Sequence, residues 1–108
     1  GDRPEADQAI GLEKTSAKMQ MLRAGNACIE LWEYSNPFPA SKDPNYSPAN
    51  HGWAHIALQV TDIFYEYERL TKAGMTFHRP PVTNVGEGRS AAIYGRDPFG
   101  NIVELYEP

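Results

Sequence analysis

Cysteine is almost absent from this sequence: Cys28 stands alone, which excludes an intrachain disulfide and any multi-cysteine zinc cluster. No apolar run approaches the roughly 18 residues of a membrane-spanning helix, and no charged-then-apolar leader opens the chain. Basic residues are the scarcer charge, 10 against 14 acidic, for a net charge of −4. A polyanion-binding surface is therefore a poor reading, and nucleic acid is excluded as an expected partner. What is present is a globular composition over 108 residues, 41% hydrophobic and 11% aromatic, enough for a packed core. A soluble cytoplasmic domain without membrane association is expected. The chain opens on Gly1 rather than Met, which reads as a cut or a cloning scar.

Proline is concentrated instead of scarce in one place. Ser35 to Gly52 carries Pro37, Pro39, Pro44 and Pro48, which suits neither a helix interior nor a central strand. Residues 35–52 therefore read as a linker between two structured parts, 1–34 and 53–108. In the second part, Ala54, Ile56, Leu58 and Val60 alternate with His55, Ala57 and Gln59, the pattern of a strand covered on one face. Asp62 is placed to N-cap a helix running through Ala73, with Gly74 as its C′ residue. Ile63, Tyr67 and Leu70 form its apolar stripe. Met75 to His78 reads as a short strand stopped by Pro80 and Pro81. Ser90 to Tyr94 and Ile102 to Tyr106 read as two more, joined through the Asp97-Pro98-Phe99-Gly100-Asn101 turn. The order is β-α-β-β-β.

The first part echoes the end of the second. Ile29-Glu30-Leu31-Trp32-Glu33 matches Val103-Glu104-Leu105-Tyr106-Glu107 in residue type, and each string follows a Gly-Asn pair, Gly25-Asn26 and Gly100-Asn101. An internal repeat implies two copies of one supersecondary unit. The second copy takes 56 residues, Trp53 to Pro108, whereas only 34 precede Ser35. Lys18 to Arg23 reads as the partner strand of the first copy, and Gly1 to Lys14 is polar without strand-like alternation. The first copy thus reads as N-terminally truncated, without its opening strand and covering helix, by at least about 20 residues on this count.

His55 falls on the polar face of its strand and Glu104 in the middle of the last one. Glu30 is the repeat-equivalent of Glu104. An imidazole and two carboxylates converging on a half-buried surface suit a divalent cation of the Zn, Ni, Co, Mn or Fe type. Each also has a plainer reading, a hydrogen-bonded strand histidine and glutamates at a sheet edge. Glu33 and Glu107 fall on the opposite faces of their strands and read as solvated. Trp32, Tyr94 and Tyr106 read as packing or as lining of the site. Cys28 shares a face with Glu30 and reads as a small buried residue. His51 and His78 receive no role.

The segments Trp53-Ala54-His55-Ile56-Ala57-Leu58-Gln59-Val60-Thr61-Asp62 and Arg96-Asp97-Pro98-Phe99-Gly100-Asn101-Ile102-Val103-Glu104-Leu105 resemble the two signatures of the vicinal oxygen chelate superfamily. This group takes in glyoxalase I, methylmalonyl-CoA epimerase, extradiol dioxygenases and bleomycin-binding proteins. The resemblance spans residues 53–108 and, in part, about 10–34. It implies an α+β fold of paired β-α-β-β-β modules forming a cupped mixed sheet. It further implies a metal held by His55, Glu104 and Glu30, with no counterpart of the fourth ligand on the first strand of the first module. A carboxylate at Glu30 resembles the glyoxalase and epimerase pattern, in which a metal chelates vicinal oxygens of a small substrate. A glutamate, Glu30 or Glu104, then moves the proton. The implied activity is a metal-dependent lyase or isomerase. The alternatives are a non-catalytic bleomycin-resistance-type binding protein, or an incomplete module active only as a dimer. A homodimer is expected from the open apolar sheet edge.

Overall fold

The computed structural model describes residues 4–108; the Gly1 start lies outside the described residues. The architecture is α+β, with the elements α1 (Pro4–Ile10), β1 (Ser16–Ala24), β2 (Ala27–Asn36), β3 (His55–Gln59), α2 (Ile63–Ala73), β4 (Thr76–Phe77), β5 (Val82–Gly86), β6 (Arg89–Arg96) and β7 (Ile102–Glu107). The chain divides into two compact units, Gly1–Lys42 and Asp43–Pro108.

In the first unit β1 and β2 form an antiparallel hairpin that closes on Gly25-Asn26, with Ala24 opposite Ala27 and Met21 opposite Glu30. The sequence reads this copy as lacking its opening strand and covering helix. The structure places the short helix α1 ahead of the hairpin, with Pro4 its first described residue and Glu5 and Asp7 in its first turn, where a missing amide hydrogen is harmless and negative charge is favoured. Asp7 also accepts hydrogen bonds from the hydroxyl and the amide of Thr15, which ties α1 to the start of the hairpin.

The second unit has the strand order β3-β7-β6-β4, with β5 also paired to β6. β3 runs parallel to β7, and β6 is antiparallel to β7, β4 and β5. The short strand expected at Met75–His78 is thus the first piece of a broken one. Thr76 and Phe77 pair with Arg96 and Gly95, then Val82 and Thr83 pair with Ala92 and Ala91. Pro80 and Pro81 fall in the gap, where they have no amide hydrogen to give to the ladder.

Helix α2 forms as its caps dictate. The Asp62 carboxylate accepts the amide hydrogen of Tyr65, and Gly74, at φ 117°, donates to the carbonyls of Leu70 and Thr71. Ile63, Ala91, Ile93 and Leu105 make the core, with Val60, Leu70 and Phe77 packed against it. Strand alternation then sends Glu104 and Tyr94 to the face opposite α2, because their neighbours Leu105 and Ile93 point into the core. Glu107 shares the α2 face with Leu105. Its carboxylate accepts the amide hydrogen of Ile63 at 3.0 Å, so it caps the helix and is not the merely solvated residue the sequence suggested.

The proline-rich stretch is not uniformly a linker, since Asp43 onward folds with the second unit. The Arg96 guanidinium donates to the carbonyls of Tyr46, at 2.7 Å, and Pro44, at 3.3 Å. The Tyr46 hydroxyl donates to the Ala54 carbonyl at 2.8 Å and accepts the Ile102 amide at 3.2 Å. One phenol therefore joins the residue before β3 to the first residue of β7.

Candidate functional site

The parallel pairing of β3 with β7 sets His55 opposite Ile102 and Ala57 opposite Glu104. On the other side of β7, Tyr94 stands opposite Glu104. Three side chains thereby meet on the face away from α2. His55 Nε2 lies 3.1 Å from Glu104 Oε1, and the His55 ring stacks at a tilt on Tyr94 with centroids 4.4 Å apart. The Glu104 side chain is only 7% exposed and that of His55 27%. A buried carboxylate must be paired and hydrogen-bonded. Its second oxygen meets that need through Arg89, whose Nη1 donates to Oε2 at 2.8 Å.

Arg89 is the residue that sequence reasoning missed. It opens β6, and the only signal was one arginine leading into the small, apolar string Ser90-Ala91-Ala92-Ile93. Its Nη2 also reaches Glu87 Oε2 at 3.3 Å, which leaves Nε buried without a partner. Burial pushes the Tyr94 phenol above its ordinary value of 10.0; the Glu104 carboxylate adds to the rise and the Arg89 guanidinium partly offsets it. Tyr94 is therefore a neutral hydroxyl at ordinary pH. It also lines a cleft of about 410 Å³ with Pro48, Thr76, Phe77, His78 and Ile102 among its walls. His78, unassigned in the sequence, is a wall of this cleft, whose lining includes neither His55 nor Glu104.

The donor chemistry and spacing of His55 and Glu104 fit a divalent cation. Metal bonds of about 2.0–2.2 Å separate neighbouring ligand atoms by about 2.9 Å in an octahedron and 3.4 Å in a tetrahedron. The 3.1 Å between Nε2 and Oε1 falls within that bite. Among the described residues of the second unit, no further His, Cys, Asp or Glu joins the pair to make a group of three.

Glu30 lies in the first unit, mid-β2, with an exposed side chain whose carboxylate accepts the Trp32 indole N–H at 3.0 Å. Trp32 in turn stacks on Tyr34, centroids 5.7 Å apart. Cys28 is exposed, not buried as the sequence suggested. The reason is that the first unit is a two-stranded ribbon in which Thr15 alone, among the described residues, is buried.

The family model described as Glyoxalase/Bleomycin resistance protein/Dioxygenase superfamily matches residues 5–105. Among solved structures, a glyoxalase family protein from Bacillus cereus is similar, with a TM-score of 0.82 and 24% identity over 95% of this chain and 69% of that one. At this identity the likeness speaks to the fold. No curated protein matches the sequence.

Proposed function

Because the chain belongs to the Glyoxalase/Bleomycin resistance protein/Dioxygenase superfamily, we propose that it is a divalent-metal-dependent lyase or isomerase of the glyoxalase or epimerase type, acting on a small oxygenated substrate. The observation that carries this reading is the His55–Glu104 pair, 3.1 Å apart at the end of a buried carboxylate. His55 and Glu104 would hold the cation, and Glu30 is proposed as a further ligand on the strength of the sequence repeat alone. The bound metal would supply Lewis-acid polarisation of vicinal substrate oxygens.

The proton-moving role divides the two glutamates. Both oxygens of Glu104 already have partners, His55 and Arg89. Glu30 is the better candidate base, since its carboxylate is exposed and its one described hydrogen bond comes from a neutral indole. Tyr94, a neutral donor that also lines the cleft, would orient a substrate oxygen. Pro48, Phe77 and Ile102 would take up its carbon skeleton.

Elemental analysis of the purified protein tests the proposal. Stoichiometric metal in the wild type and its loss in His55→Ala are expected. No bound metal after incubation with Zn, Ni, Co, Mn or Fe across several pH values would overturn it. One observation favours a second reading, a binding protein without catalysis: the Arg89 guanidinium already occupies Glu104 Oε2, at 2.8 Å.

A homodimer and a cytoplasmic location belong to the same proposal. The dimer is supported by the exposed Met21, Leu22, Leu31 and Trp32 of the first hairpin, the location by a lone exposed thiol, which a reducing compartment keeps free. A monodisperse monomer in light scattering would overturn the dimer.

A further inference from the structure

The proposed chemistry makes no use of Arg89, yet Arg89 fixes the group on which it depends. A carboxylate's last torsion is broad and roughly two-fold. With one oxygen unheld, Glu104 could turn both oxygens toward a cation or neither. The Arg89 guanidinium holds Oε2 at 2.8 Å, and the other oxygen then faces His55 at 3.1 Å. Arg89 is itself steadied by Glu87, whose Oε2 lies 3.3 Å from Nη2. The β5–β6 hairpin that carries both residues has Gly86, Glu87 and Gly88 at positive φ (92°, 56° and 74°), a tight turn that sets the two side chains near each other.

The geometry points to Arg89 as a positioning residue that orients Glu104, so that a single oxygen, Oε1, is offered beside His55 Nε2. Its effect on a bound cation rests on the metal reading above; its effect on the orientation of Glu104 toward His55 does not. Partners behind the first ligands commonly change metal affinity by about 10- to 100-fold. An ion pair that merely stapled β6 to β7 would alter stability and nothing else.

Two readouts separate these cases. The first is the proton NMR signal of the His55 ring N–H in metal-free protein, which reports its hydrogen bond to Glu104. The second is Co²⁺ affinity by calorimetric titration. Arg89→Gln is expected to abolish the downfield His55 signal and to weaken Co²⁺ binding at least about tenfold. Arg89→Lys, which keeps the charge and loses the fork, should fall between Gln and wild type, and it decides the matter if the Gln variant does not fold. If the wild type binds no Co²⁺ but Arg89→Gln still loses the His55 signal, the metal reading fails and the positioning role stands. A folded Arg89→Gln, or in its absence Arg89→Lys, with signal and affinity equal to wild type and only a lower melting temperature would overturn the inference.

Discussion

Glu104 Oε1 stands 3.1 Å from His55 Nε2 although 49 positions separate the two residues in the chain. The parallel pairing of β3 and β7 makes this possible, and Arg89 completes it by occupying the other oxygen. Breaking the arrangement from one side is therefore expected to cost more than losing one contact.

Glu104→Leu removes the charge that balances Arg89 and leaves a partly buried guanidinium without its main partner. Removing one member of a buried pair costs about 3–5 kcal/mol. With Arg89 27% exposed, water can reach part of the guanidinium, so the lower end, about 3 kcal/mol, is expected. Urea denaturation measures it, and a loss below about 1 kcal/mol, the size of an exposed pair, would show that the contact contributes little.

Tyr94 reports the same cluster by titration. Its phenol lies above the ordinary 10.0 through burial first and Glu104 second, with Arg89 opposing. Glu104→Gln should lower its pKa and Arg89→Gln should raise it further, as followed by phenolate absorbance. A group with a raised folded pKa contributes stability that is complete below the unfolded value and lost as pH rises through the folded one. Tyr94 should thus leave stability unchanged below pH 10 and lower it above; Tyr94→Phe should remove that alkaline loss.

The docked segment before β3 depends on Gly100. Its φ is 88°, and a Cβ there would lie 2.5 Å from the Pro44 backbone. Gly100→Ala combines backbone strain of about 1–3 kcal/mol with displacement of Pro44. Faster hydrogen exchange at Ile102, whose amide is held by Tyr46, is the expected signature. Arg96→Ala should produce the same exchange without the strain.

Two carboxylates cap one helix. Asp62→Ala should cost about 1 kcal/mol, and Glu107→Gln less, because an amide oxygen still accepts the Ile63 N–H. Circular dichroism melting of both and of the double variant would show whether the effects add. Additivity would mean that the two caps act independently.

The sequence by itself determined the local parts of the second unit. Alternation assigned His55 and Gln59 to one face of β3, and Gln59 is indeed on the side of Tyr106, whose hydroxyl it accepts at 3.4 Å. Asp62 and Gly74 bounded α2 because caps are set by residues within one turn. The two family signatures named the superfamily because each is continuous in sequence. Only tertiary structure decided that Arg89 reaches Glu104, that Glu107 caps α2, that Tyr46 joins β3 to β7 and that the strand stopped at Pro80-Pro81 resumes its pairing with β6 at Val82. The physical reason is that a strand's alternation fixes which face a side chain takes, whereas its partner depends on register and strand order. Those are set by the whole sheet, through hydrogen bonds between segments far apart in the chain.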